Sequence, residues 1–461
     1  MPSTIGGRIL SMSAWRTRPL TNWPSPNMPS ARLRLSAKMN VYVYSWKPAT
    51  SINFGDEIGP MVVQALCRKF KLDYDIIPTV LSTHSKILAI GSILHEAKDD
   101  DVVWGVGVNS KHRSVLPRNA NIRFNSVRGP LTRFMMRDQG FDCPEVYGDP
   151  GLLFPMLFDE QIRTRRGQLE KAAQAIGVPM PETIVIPNIN DDRFLPYFTA
   201  PFKDNLMFIR PNLDPITVAA YISASKRVIS SSLHGLVFAD VYGKAITRMA
   251  SQFEADFKYT DYYEGTDRVA PRAYRDLKSS LDGELVAPLV WNPEPLLRAF
   301  PLLDPALRDV LAVNLFDVEE NKCYQVADLP NGEGPFTTGW AKPEGGAVWS
   351  VDQWTDFEVL FKKPPTSPLT LRLNVGTLPK GTGGFVVFRV VHGGKVIDTH
   401  RIMRNEPSKI IEIPLPHMPA SGELSLRFKI ENASKPVEHG MGDDVRHLGV
   451  WVSSFEIASG T

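Results

Sequence analysis

Near residue 317 the sequence changes its period, and that change limits the folds open to the chain. Before it, short β-rich runs alternate with helical patterns, the signature of parallel sheets with crossover helices. After it come alternating segments such as Leu369-Thr370-Leu371-Arg372-Leu373-Asn374-Val375 and Phe385-Val386-Val387-Phe388-Arg389-Val390-Val391. Separated by Gly- and Pro-rich turns, these read as an all-β, two-sheet sandwich. One hydrophobic core seldom serves 461 residues, so several domains are expected.

Within the α/β part, the polar, helix-prone stretch 161–174 carries Arg163, Arg165 and Arg166 and separates two βα patterns. Strands are expected over 86–90 and 102–108 in the first, and at 183–186, 205–209 and 227–229 in the second. Several end in small residues (Gly91-Ser92, Gly105, Gly107), as at strand ends that line a ligand cleft. The fold class predicted is therefore α/β: two Rossmann-like domains, 39–160 and 161–316, the second with a helical connector over 294–312, and a β-sandwich over 317–461. Two such halves facing each other form the arrangement called GT-B in glycosyltransferases.

Residues 1–38 carry Arg8, Arg16, Arg18, Arg32, Arg34 and Lys38, and no acid precedes Asp56. They read as a disordered basic tail or an overlong start, with Met39 opening the first strand. A net charge of +2 gives no concentrated basic surface for a nucleic-acid partner. No apolar run is long enough to span a bilayer. Cys67, Cys143 and Cys323 share no metal or redox spacing; they read as packing residues in a reducing, cytoplasmic compartment.

The chemistry concentrates in Arg227-Val228-Ile229-Ser230-Ser231-Ser232-Leu233-His234-Gly235, a buried strand, a hydroxyl-rich turn and a helix start. Serines cap helices, and backbone N–H groups with the helix dipole bind phosphate or carboxylate, so an anion is expected beside His234. The dipole lowers the histidine pKa and a bound phosphate raises it, which suits a general acid loaded by its own substrate. A capped helix with a satisfied histidine is the plainer alternative. A second helix start, Ser126-Val127-Arg128-Gly129-Pro130-Leu131-Thr132, has Pro130 at its first position and Gly140 at its stop. Arg128 there could fork onto two oxygens of an anion or be an ordinary shoulder arginine.

Taken in order, Asn53-Phe54-Gly55-Asp56, Gly91-Ser92, Trp104-Gly105-Val106-Gly107, Val127-Arg128-Gly129-Pro130-Leu131-Thr132, Gly148-Asp149-Pro150-Gly151 and Ser232-Leu233-His234-Gly235 resemble the polysaccharide pyruvyl transferase family, over roughly 39–263. The segment Phe257-Lys258-Tyr259-Thr260-Asp261-Tyr262-Tyr263 adds to the likeness, whose finer character resembles the branch acting on rhizobial exopolysaccharides such as succinoglycan. The resemblance implies a GT-B-like fold, phosphoenolpyruvate as donor, and an oligosaccharide or lipid-linked glycan acceptor. It also implies peripheral contact with the inner face of the plasma membrane. One departure stands out: many members place an arginine before the Leu-His pair, where this chain has Ser232. Arg210, Arg227, Arg248 or backbone N–H groups are the candidates to replace it.

On this reading His234 protonates the methylene carbon of phosphoenolpyruvate, and Arg128 with the helix starts holds its anions. A sugar hydroxyl attacks C2, ending in a pyruvate ketal with release of phosphate. Asp56 or Asp149 assists deprotonation, or caps a turn. Asn53, Gly55, Gly91, Ser92, Gly105, Gly107, Ser230, Ser231, Ser232, Arg210 and Lys258 complete the substrate-binding set. No cofactor is expected: the Gly-x-Gly-x-x-Gly fingerprint fails at Ser110, and His84, His95 and His112 form no metal motif and read as mobile surface histidines. The rival readings are a GT-B glycosyltransferase using a nucleotide sugar and a non-enzymatic carbohydrate-binding scaffold. The stretch 443–451 turns a charged loop into the last strand or contributes to a sugar surface; a solvated charge pair and a core-packed Trp451 favour the structural use.

Overall fold

The structure is a computed structural model that describes residues 39–46, 53–79, 84–110, 116, 120–191, 202–203, 205–313, 315–329, 334–361, 365, 368–378, 384–392, 395–404, 406–415 and 422–459. The basic tail expected over 1–38, and His112, lie outside them. In chain order the elements begin β1 (Met39–Tyr44), α1 (Phe54–Phe70), β2 (Tyr74–Thr79), β3 (Lys86–Leu88), β4 (Val102–Val106), β5 (Arg123–Val127), α2 (Pro130–Asp138) and α3 (Asp159–Ala175). There follow β6 (Thr183–Ile186), β7 (Phe202–Lys203), β8 (Leu206–Phe208), α4 (Pro215–Ala224), β9 (Arg227–Ser230), α5 (Leu233–Val241), β10 (Ala245–Arg248) and α6 (Phe257–Glu264). The remainder is strand-rich: β11 (Ala312–Val313), β12 (Phe316–Val318), β13 (Cys323–Gln325), β14 (Val348–Trp349), β15 (Trp354–Phe361), β16 (Leu369–Thr377), β17 (Phe385–His392), β18 (Lys395–Met403), β19 (Lys409–Pro414), β20 (Glu423–Glu431) and β21 (Val450–Ser459).

The chain separates into two compact units, one holding described residues of 47–72 and 88–308, the other those of 36–46, 73–87 and 309–461. In the first unit β4 and β5 run parallel. A second sheet has the order β10-β9-β6-β8-β7, parallel except for β7. Val228 and Ile229 are fully buried in its centre, as continuous apolar runs are in parallel sheets. Helix α5 is buried from Leu233 to Asp240 because Leu-His-Gly-Leu-Val-Phe-Ala-Asp offers no solvent face. Helix α3 is the opposite case, burying Ile162 alone, and leans on α4 through an Arg165 Nε to Thr217 Oγ1 bond of 2.9 Å. Helix α2 starts at Pro130, and Gly140 follows its end with φ +90°, a left-handed turn that glycine adopts without strain.

In the second unit β1 is parallel to β2 and β3 and antiparallel to β11. The sandwich pairs a sheet of order β12-β15-β20-β17-β18 with one of order β13-β21-β16-β19, to which β14 adds through β21. Inward residues of both sheets, among them Phe336, Phe357, Phe388, Phe428 and Phe455, form one core. Two expectations are corrected here. His84 is no mobile surface residue: it is half-buried, stacks on Tyr42 at 5.3 Å, and burial lowers its pKa to about 4. Cys67 and Cys143 are buried packing residues, but Cys323 is exposed, since β13 turns it away from the core. His95, in the first unit, is half-buried beside Glu96 at 3.3 Å.

Candidate active site

All the site residues named from sequence lie in the first unit. Ser232 caps α5, accepting from Gly235 N at 3.4 Å, and this places His234 in the first helical turn. Helix α1 begins opposite. An added Cβ on Gly55 would sit 2.0 Å from His234 Nδ1, so only glycine lets the two helix starts meet around the imidazole. Asn53 heads α1 without a side-chain cap and instead donates to Asp56 Oδ2 at 2.5 Å.

On its other side His234 faces Asp149. Asp149 opens a short 3-10 turn and accepts from Gly151 N at 2.8 Å through Oδ1. Its Oδ2 stands 3.7 Å from His234 Nε2, and both atoms are buried with no hydrogen-bond partner. Buried polar atoms are nearly always paired, so these two facing atoms are a donor and an acceptor position open to a ligand group. Phe54 meets the imidazole edge-on at 6.3 Å, and Phe238 and Phe154 stack behind it. Such walls penalise charge. Burial, then the positive charges of Lys258 and Arg128, lower the His234 pKa to about 3. Burial raises Asp149 to about 6 against the Gly151 N–H and Arg128, and raises Asp56 to about 7 against the Asn53 bond and Lys258. Lys258, from the first turn of α6, pairs with Glu254 at 2.9 Å.

Arg128 was expected to present its fork to an anion. Instead it is fully buried, and its donors go to the protein: Nε to Asp261 Oδ2 at 3.0 Å, Nη1 to Ser92 Oγ at 2.6 Å and Nη2 to Val108 O at 3.2 Å. Gly107 makes room for it, since a Cβ there would lie 2.1 Å from the guanidinium carbon. Asp261 also accepts from Thr132 N at 2.9 Å and Thr132 Oγ1 at 2.7 Å, so it caps α2 from outside where Gly129 cannot. This hub was missed from sequence; its signal is an acid three residues after Lys258, one helical turn along α6.

The serine hydroxyls are likewise committed to the turn. Ser230 Oγ bridges Ile186 O and Ser232 N, and Ser231 Oγ joins Asp191 Oδ2 at 2.8 Å while accepting from Asn188 N. Gly105, with φ +80°, lies against Pro150 and Gly148 and serves the backbone crossing, whereas Gly91 faces Asp56 Oδ1. Of the arginines that could stand in at Ser232, Arg227 is tied to Thr247 and to the carbonyls of Ser280 and Leu281. Arg248 lies over Tyr259 at 4.2 Å and pairs with Asp256, while Arg210 is exposed. Among the described residues no three His, Cys, Asp or Glu side chains could share a metal ion, and no helix is long and apolar enough to cross a membrane.

Residues 50–249 match the family model described as Polysaccharide pyruvyl transferase. "Uncharacterized protein L143" of Acanthamoeba polyphaga mimivirus is 26% identical over 182 residues, 38% of this chain and 57% of that protein, so the match spans little over half the relative's length. Among solved structures, a family 6 carbohydrate-binding module dissected for its binding sub-sites aligns at 5% identity and TM-score 0.20, covering 32% of this chain and 99% of its own. The Clostridium stercorarium module CsCBM6-3 in complex with cellobiose aligns at 11% and 0.19, covering 32% and 98%. Likeness at that level carries no weight for fold or function. The match to that family model covers residues 50–249, 200 of the 461, and takes in His234, Asp149, Asp56 and Arg128.

Proposed function

We propose that the site transfers the pyruvyl skeleton of phosphoenolpyruvate to a glycan as a ketal, with His234 as the general acid. The observation that carries this reading is the pair of buried, unbonded atoms His234 Nε2 and Asp149 Oδ2, 3.7 Å apart between the starts of α1 and α5. An imidazole with a pKa of about 3 holds no proton to give at neutral pH. A polyanionic donor at the two helix starts offsets the charges of Lys258 and Arg128 and brings the proton onto the ring, so the acid is loaded only when the donor is bound. The Asp149 carboxylate then steadies the imidazolium.

Protonation of the donor's methylene carbon gives a methyl group and leaves C2 electron-poor. One sugar hydroxyl adds to C2 and loses its proton, the C2–O bond to phosphate breaks, and a second hydroxyl adds with loss of its proton to close the ketal. Asp56 and Asp149, raised to about 7 and 6, have the proton affinity a base needs near neutral pH. Arg128 acts here as a positioning residue that holds the loop after β4 against α6. The acceptor is an oligosaccharide or lipid-linked repeat unit of an exopolysaccharide, met at the inner face of the plasma membrane. Purified protein given phosphoenolpyruvate and such an acceptor releases phosphate and leaves an acid-labile ketal, detected by mass spectrometry. Transfer from a nucleotide sugar alone would overturn the reading.

A further inference from the structure

We propose that the outer face of the β13-β21-β16-β19 sheet, with β14, is a second glycan site, taking an uncharged stretch of polysaccharide. Its first element is aromatic. Trp451 on β21 pairs across the ladder with Trp349 on β14 and, on its other side, with Gly376 on β16. Buried Val450 and Val452 flank Trp451, so strand alternation turns the indole outward, and it stays half-exposed, as does Trp349. A Cβ on Gly376 would lie 2.3 Å from Trp451 Cζ2, so the missing side chain lets the indole lie down on the sheet backbone. Indoles held at a wet surface present an apolar face with a polar edge, the pairing that suits the C–H face of a pyranose ring.

The second element is a groove of ≈ 670 Å³ at the β19 edge of this sheet, lined by Arg372, Glu412, Glu456 and Ile410 of the outer face and by Lys409 and, from β18 of the other sheet, His400. Arg372 stands in register between Glu412 and Glu456 and bonds both, at 2.9 and 3.5 Å. Ile410, 65% exposed, lies opposite Asn374 between this row and the tryptophans. Four strand steps separate Gly376 from Arg372, about 13 Å, which a short run of linked sugars would cover. The charges choose the ligand. Arg372 and Lys409 balance Glu412 and Glu456, so the groove offers donors and acceptors to hydroxyl groups but no net attraction for an anion such as a pyruvate ketal. The face therefore suits unsubstituted polymer over pyruvylated product. The site belongs to the second unit and does not depend on the chemistry at His234, in the first.

The test is electrophoresis of the full chain through gels containing matched cellulose ethers, neutral hydroxyethyl cellulose or anionic carboxymethyl cellulose, and through neutral galactomannan. Retardation by at least one neutral polymer, and none by carboxymethyl cellulose, is expected. Trp451→Ala weakens it about tenfold and Arg372→Ala about threefold. The exposed Arg372 keeps the test valid if Trp451→Ala melts early. Migration unaffected by both neutral polymers, preference for the anionic ether, or unchanged retardation of a folded Arg372→Ala would overturn the proposal. Pyruvyl transfer to a short acceptor, unchanged in both variants, separates polymer binding from the chemistry.

Discussion

Arg128 and His234 are two buried polar side chains in one unit, and they are treated in opposite ways. Arg128 has every nitrogen engaged by Asp261, Ser92 or Val108, whereas His234 keeps a nitrogen aimed at an equally unbonded carboxylate oxygen. A satisfied buried network rigidifies; an unsatisfied one is tolerated where a ligand completes it. Under the proposed mechanism, the difference separates a residue that holds the site in place from the one that carries the proton.

The strongest way to break this contrast is at the histidine. His234→Gln keeps most of the volume and should lower turnover by about 10²–10⁴-fold while the protein melts no lower than wild type. Phosphate release and calorimetry on the same sample decide it, and a variant that unfolds would put His234 with Arg128. Arg128→Met should do the reverse, costing about 3–5 kcal/mol in denaturant unfolding because Asp261 is left buried and charged. Adding Asp261→Asn should recover part of that loss.

Asp149 sharpens the contrast through pH. Its folded pKa, about 6, lies above the ordinary 3.8, so the stability it contributes is complete below 3.8 and is lost as pH rises through 6. His234 runs the other way: lowered from 6.5 to about 3, it contributes stability above 6.5 that is lost as pH falls toward 3. Asp149→Asn keeps the bond from Gly151 N and removes only the first effect. It should be more stable than wild type by about 3 kcal/mol at pH 8, with the gain gone at pH 4 and turnover reduced at both. A pH-independent gain would mean that Asp149 is not strained by burial.

What the sequence made legible were features written in local pattern. The period change at 317, the strand and helix around Ser232, and Pro130 at the start of α2 are of this kind, since caps, alternation and glycine are short-range signals. The meeting of Gly55 with His234, and of Asp149 with His234, joins segments far apart in the chain and needed coordinates. Arg128 was found but placed wrongly, because nothing near it in sequence announces that Asp261, 133 residues on, takes its charge. The serines look like ligand contacts in sequence for the same reason: their partners are Ile186 at the end of β6 and Asp191 in the turn beyond it.

Ser232 gives the smallest effect and the finest test of what the turn is for. Its hydroxyl accepts a single long bond, 3.4 Å from Gly235 N, so Ser232→Ala should cost about 0.5 kcal/mol, the low end for a lost N-cap. Ser230→Ala should cost more, because Ser230 Oγ ties Ile186 O to Ser232 N inside the turn. If the serines only build the helix start, turnover falls in both variants no further than that shape is lost, and the KM for phosphoenolpyruvate follows stability. A KM that rises in Ser232→Ala with no change in melting would instead make that hydroxyl a donor ligand.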